Sequence, residues 1–275
     1  MLFPYFLLPL QPQKDNRNTH FNYLSMQHTP QEIELIRLQK RITRLFHKGC
    51  TDYGLIQEGD HILIGLSGGK DSLALVELLG RRSQIYVPHF RVSAVHVSIE
   101  NIAYQSDTAY LKSFCEHYKV PFIHHTTRFD ASEDTRKSHC FLCSWYRRKA
   151  LFEVAQQLGC NKIALGHHKD DIIETLLLNL VFQGNFGTIA PKLQMQKFSM
   201  QMIRPLCLIC EKDLARYAVL SGYHKQNKLC PFEQESNRHN IKQIISQLES
   251  LNPNVRDSIW GAMENIKPEY LPHKV

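Results

Sequence analysis

The chain has 275 residues, of which 43% are apolar, enough for one α/β core with an extension or for two small domains. Its net charge of +7 and isoelectric point near 8.9 fit an anionic partner such as ATP or RNA. No run approaches the roughly 18 apolar residues needed to span a membrane, and no convincing secretory cleavage site precedes the eight cysteines. A disulfide framework is therefore not expected, and a cytoplasmic chain is.

Residues 1–30 read as a peripheral or disordered tail. MLFPYFLLPL is apolar but short, holds two prolines and lacks a basic start, and QPQKDNRNTH is polar. Residues 31–48 predict an amphipathic helix with Leu35, Leu38, Ile42, Leu45 and Phe46 on one stripe. Its cations, Arg37, Lys40, Arg41, Arg44 and Lys48, are equally consistent with an RNA-facing surface and with a solvated face.

The stretch HILIGLSGGKDSLALVELLG, 61–80, is the most informative. It predicts a buried strand from Ile62 to Leu66, a tight turn over Ser67, Gly68, Gly69, Lys70, Asp71 and Ser72, and a helix from Leu73 that Ser72 would cap. Such a turn, between a strand's carboxyl end and a helix's amino end, can cradle an anion. It is not the kinase-type loop: only three residues separate Gly65 from Gly69, and Asp71 follows Lys70. SGGKDS instead matches the PP-loop of the ATP pyrophosphatases, which implies binding of ATP pyrophosphate and adenylation of a carbonyl oxygen.

An alternating strand (91–100), a helix (107–119), a strand (122–126), a helix (144–158) and a strand (162–166) follow. The apolar helix DDIIETLLLNLVFQG is expected to be buried against the sheet. Beyond it lie a loop, a strand or hairpin within 194–206, a helix from Glu211, and two more helices over 237–265. Strands alternating with helices predict an α/β fold with a doubly wound parallel sheet and a helical C-terminal elaboration.

Cys140 and Cys143 form a C-x-x-C in a polar loop ahead of a helix, and Cys230 precedes Pro231 in another loop. The spacing lets two thiolates meet one centre. An iron–sulfur cluster, a redox pair and a zinc site, with His139 as a further ligand, all remain open. Cys207 and Cys210, in apolar CLIC, read as buried small hydrophobes, and Cys50, Cys115 and Cys160 as packing residues.

EGDHILIGLSGGKDS, HCFLCSWYRR, KIALGHHKDDIIETLLLN and IRPL…EKDLARYA, with the later loop cysteine, together resemble the tRNA 2-thiocytidine synthetase family over residues 34–272. The resemblance implies an adenine-nucleotide alpha-hydrolase-like fold, with ATP, Mg²⁺ and a [4Fe–4S] cluster used to replace O2 of a tRNA cytidine, at position 32, with sulfur. It implies that Ser67 to Ser72 bind phosphates, that Lys70, Asp71 and Asp171 serve catalysis, and that Gly166 and His167 line the adenosine or the activated base. Cys140, Cys143 and Cys230 would hold the cluster. Asp170 and Asp171 are adjacent on a helix, so only one is expected to face the site. Arg147, Arg148 and Lys192 are candidate tRNA contacts.

Many members carry a second cysteine three residues after the third ligand; this chain has Glu233 there. The alternatives are a persulfide-relay thiolation, a lysidine-type amidation, and a non-catalytic nucleotide-binding protein. Expected partners are tRNA, a cysteine desulfurase or other sulfide donor, and a second copy in a homodimer. The expected boundaries are 1–30 for the tail, 31–55 for the first helix, 56–210 for the ATP-binding domain and 211–275 for the helical elaboration.

Overall fold

The computed structural model describes residues 29–85, 87–100, 106–128, 139–196, 198–224, 226 and 237–272, with backbone alone at 139 and 140. The expectations for the N-terminal tail and for Cys230 lie outside the described residues.

Helix α1 (Pro30–Asp52) begins with a reciprocal cap: Thr29 Oγ1 accepts from Glu32 N at 3.3 Å, and Thr29 N donates to Glu32 Oε2 at 2.6 Å. Its apolar stripe buries Ile42 and Phe46. Strand β1 (His61–Gly65) is covered on both faces, with Ile62, Leu63 and Ile64 fully buried. Then come α2 (Lys70–Ser83), β2 (Arg91–Ile99), α3 (Thr108–His117), β3 (Phe122–Thr127), α4 (His139–Gln157), β4 (Lys162–Ala164) and α5 (Lys169–Gln183). A hairpin of β5 (Lys192–Gln194) and β6 (Gln201–Ile203) leads to α6 (Glu211–Leu220), α7 (Asn237–Leu251) and α8 (Val255–Glu264).

The six strands form one sheet in the order β3-β2-β1-β4-β6-β5, parallel except for β5 at the edge. One face packs residues of α1, α2, α3 and α6 onto Ile62, Ile64, Val92, Ala94, Ala164 and Ile203. The other packs Leu151, Phe152, Val154 and Ala155 of α4 onto Leu63, Val95, Ile163 and Met202. The chain runs outward from β1 through β2 to β3, then returns to β1's other side at β4. This reversal opens a crevice at the carboxyl ends of β1 and β4, where α/β sheets take ligands.

Three expectations are corrected. Strand β2 does not alternate in burial: Val92 to His96 are all buried, because helices cover both faces of this central strand. Helix α4 starts at His139, so the C-x-x-C lies within the helix rather than in a loop ahead of it. Helix α5 is buried only in its first half: Ile172, Ile173 and Leu176 are covered, whereas Leu180, Val181 and Phe182 are exposed.

The C-terminal helices pack on what precedes them. Ile241 and Ile245 of α7 meet Ile173, and Trp260 of α8 packs with Ile172 and Cys207. Among the described residues, no helix is long and apolar enough to cross a membrane.

Candidate active site

The turn after β1 is built as a cradle. Gly68 has φ +79°, a conformation that side-chain-bearing residues rarely adopt. Gly69, not Ser72, occupies the N-cap of α2. Ser72 lies one turn inside the helix; its hydroxyl donates to Gly69 O at 2.9 Å and accepts from Ser67 Oγ at 3.2 Å. The expected capping role of Ser72 is thus a bracing role: it fixes the turn from within. The amides of α2's first turn, which have no intrahelical acceptor, lie at the carboxyl end of β1, beside the crevice.

The second wall follows β4. A Cβ on Gly166 would lie 3.1 Å from both Asp71 C and Ser72 N, so a side chain here would crowd the backbone of α2's first turn, and glycine lets the segment close on it. His167 is held neutral: burial, then the Arg204 charge, push its pKa down to about 4. His168 caps α5, with its Nδ1 accepting from Asp171 N at 3.3 Å and its amide donating to Asp171 Oδ2 at 3.0 Å.

The adjacent carboxylates diverge as expected. Asp170 is buried, accepting from Glu211 N at 2.6 Å and from Arg256 Nε at 2.6 Å, and so ties α5 to α6 and α8. Asp171 turns the other way, toward Arg238 Nη1 at 3.5 Å. Asp71 presents a buried Oδ1 that has no hydrogen-bond partner among the described residues, while its Oδ2 lies 3.2 Å from Lys70 Nζ.

Lys70 also lies 3.3 Å from Glu211 Oε1, and the other oxygen of Glu211 takes Lys242 Nζ at 2.9 Å. Burial works against the ionised form of Glu211, but the Lys242 hydrogen bond and the Lys70 charge outweigh it and hold its pKa down to about 2. The sequence assigns no role to Glu174, Glu211, Arg238 or Lys242, although Glu174 lies in KIALGHHKDDIIETLLLN and Glu211 in EKDLARYA, two of the stretches that carry the family resemblance.

Cys143 is partly buried and packs on the cluster of Leu142 and Ile99, the last residue of β2, which sets this part of α4 near the carboxyl ends of the strands. Cys140 lies three residues earlier on the same helix, a spacing that shares one face. Arg147 and Arg148 follow on α4, Arg148 exposed. Lys192 donates to Gly54 O at 3.1 Å and braces the end of α1 rather than standing free. Cys207 is fully buried and its thiol is pushed up to about 12, with burial the main cause, as expected of a packing residue. Cys210 is only partly buried and takes the N-cap position of α6.

A PP-loop domain family matches residues 35–243. The chain is 35% identical over 245 residues to the tRNA-cytidine(32) 2-sulfurtransferase of Syntrophotalea carbinolica, covering 86% of this chain and 92% of that one. The chain belongs to the tRNA-cytidine(32) 2-sulfurtransferase family. The Shewanella pealeana protein of that name is 34% identical over 249 residues, covering 89% of this chain and 80% of its own. Among solved structures, the U34-tRNA thiolase NcsA from Methanococcus maripaludis, which carries a [4Fe–4S] cluster, superposes with a TM-score of 0.68 at 26% identity. That match covers 84% of this chain and 81% of NcsA.

Proposed function

We propose that this member of the family thiolates a cytidine of tRNA, position 32 as in its named relatives, in a reaction driven by ATP. What supports the reading is that α4, which bears Cys140 and Cys143, packs beside the last residue of β2, at the same carboxyl end of the sheet as the glycine turn after β1.

The residues fit the groups this chemistry needs. The left-handed Gly68, the open amides of α2's first turn and Lys70 suit the phosphates of ATP. The buried Oδ1 of Asp71, without a hydrogen-bond partner among the described residues, suits Mg²⁺, which would neutralise phosphate charge. Cys140, Cys143 and Cys230 offer three soft thiolates, and a [4Fe–4S] cluster bound by three cysteines leaves one iron open for the sulfur to be transferred.

The chain's own residues would then work as follows. The cradle fixes the β- and γ-phosphates, and Lys70 stabilises the charge that builds on the departing pyrophosphate. Gly166 and neutral His167 border the adenosine and the cytosine. AMP is transferred to O2 of the base, which turns a poor leaving group into a good one. Asp171 keeps His168 and the start of α5 in place and presents its second oxygen to Arg238.

The test is mass spectrometry of tRNA nucleosides from a strain lacking the gene, complemented with wild type or Cys143→Ala. We expect 2-thiocytidine to vanish, to return with wild type, and to stay absent with the variant. Unchanged 2-thiocytidine in the deletion strain overturns the assignment. Anaerobically purified protein that is colourless and iron-free, yet still thiolates tRNA, would instead favour a persulfide relay.

A further inference from the structure

Helix α7 brings two cations to the crevice that the reading above does not use. Arg238 and Lys242 are four residues apart and so share a face of α7. Both side chains remain about half exposed, at 44% and 45%. Beneath them lies Glu174 of α5, whose side chain is only 3% exposed. Arg238 Nε and Lys242 Nζ each stand 3.6 Å from one of its oxygens, close enough for charge attraction but too long for a hydrogen bond. Glu174 Oε2 accepts no hydrogen bond among the described residues.

Arg238 thus faces two carboxylates, Asp171 and Glu174, without closing on either. Among the described residues its guanidinium donors are unspent. Lys242 is tied to the cradle more directly, because Glu211 holds Lys242 with one oxygen and Lys70 with the other. The second lysine therefore stands across a single carboxylate from the lysine of the phosphate turn. A polyphosphate carries several negative charges, and Lys70 alone supplies one positive charge against them.

We propose that Arg238 and Lys242 are phosphate ligands of the nucleotide site, and that Glu174 and Glu211 are positioning residues that hold α7 over the cradle. This rests on the reading of the cradle as an ATP site. When ATP binds, its phosphates replace the carboxylates as partners of Lys70, Lys242 and Arg238. The planar guanidinium offers parallel donors to phosphate oxygens. The nucleotide would thereby fasten the C-terminal helix to the phosphate turn.

Calorimetric titration of the full-length protein, purified and handled anaerobically, tests this with two probes, the β,γ-imido analogue of ATP with Mg²⁺, and AMP. Arg238→Gln and Lys242→Gln should each weaken the analogue about tenfold, the scale of one charge-assisted hydrogen bond, and leave AMP within about twofold. Arg238→Lys and Lys242→Arg should recover most of the loss. Glu174→Gln should weaken the analogue by a smaller factor, about threefold, and speed hydrogen exchange of α7 amides before nucleotide is added. Melting temperatures of each variant guard against unfolding, and the charge-conserving pair keeps the test decisive if either glutamine variant does not fold.

Variants that bind the analogue like wild type overturn the proposal, as do equal losses for AMP and the analogue. Weakened tRNA binding with intact analogue binding would place the two cations on the RNA backbone instead and also overturn it. Wild type that binds neither nucleotide would fail the underlying ATP reading itself, a result distinct from the failure of α7 alone.

Discussion

At Gly68 two constraints act on one atom. The residue has φ +79°, and a Cβ there would lie 2.8 Å from Cγ of Gln226, a buried side chain whose Oε1 accepts from Asp107 N at 2.7 Å. Gly68→Ala must therefore strain the turn and displace Gln226 together. We expect a loss of about 1–3 kcal/mol in stability and weaker nucleotide binding, read by thermal denaturation and titration. A variant as stable as wild type would show that Gln226 yields freely. Glu174 gives a pH signature. Burial, only partly offset by Lys242 and Arg238, raises its pKa to about 7 from an ordinary value near 4.5. Between these values the folded chain keeps a proton that the unfolded chain has released. This contribution to stability therefore falls as pH rises from about 4.5 to 7 and flattens above that, by on the order of 3 kcal/mol in all. Glu174→Gln should remove this decline, so the melting temperature of wild type relative to the variant should drop across that window. A constant difference would mean that Glu174 is ionised throughout.

At the scale of elements, the far end of the sheet is held by a buried ion pair. Lys162 at the start of β4 donates to Asp60 Oδ2 at 2.7 Å and to Leu55 O at 3.0 Å, and Asn161 and the Gln57 amide complete Asp60. Asp60→Ala leaves an ammonium buried without its counter-charge, which costs about 3–5 kcal/mol. The pair sits at the amino ends of β1 and β4, opposite the crevice, so nucleotide affinity of the folded variant should be unchanged. Chemical denaturation and titration separate the two effects. These elements differ in how far the sequence disclosed them. Strand β1 and its turn were legible because an apolar run and SGGKDS are contiguous, and β6 and the starts of α6 and α7 also fell where expected, whereas β5 begins at Lys192, in the stretch expected to be loop. The first turn of α4 was not, because SHCFLC carries no helical period. The second half of α5 was read as buried because it is apolar on all sides; the fold leaves it uncovered. The charged network was invisible for a simpler reason. Lys70, Glu174, Glu211 and Lys242 sit on four helices, and only the sheet order and the packing of α7 on α5 bring them together.

For the whole molecule, the issue is whether residues 211–275 behave as a separable elaboration or as part of one cooperative unit. The contacts favour cooperation. Ile241 and Ile245 cover Ile173, Trp260 covers Ile172 and Cys207, and Tyr53 at the end of α1 donates to Glu264 at 2.5 Å. Arg256 also closes on the buried Asp170, which itself caps α6. A chain ending at residue 236 would uncover these apolar groups and leave Asp170 and Glu174 without their cations, so it should not reach the native state. The full chain should instead melt in a single calorimetric transition. Nucleotide at a hundred times its Kd stabilises a folded state by about 2.7 kcal/mol, and the transition should move up as one. For a chain of this size the shift is on the order of several degrees. Two transitions, with only one responding to nucleotide, would divide the C-terminal helices from the ATP-binding core and would leave α7 too loosely held to place Arg238 and Lys242 over the phosphates.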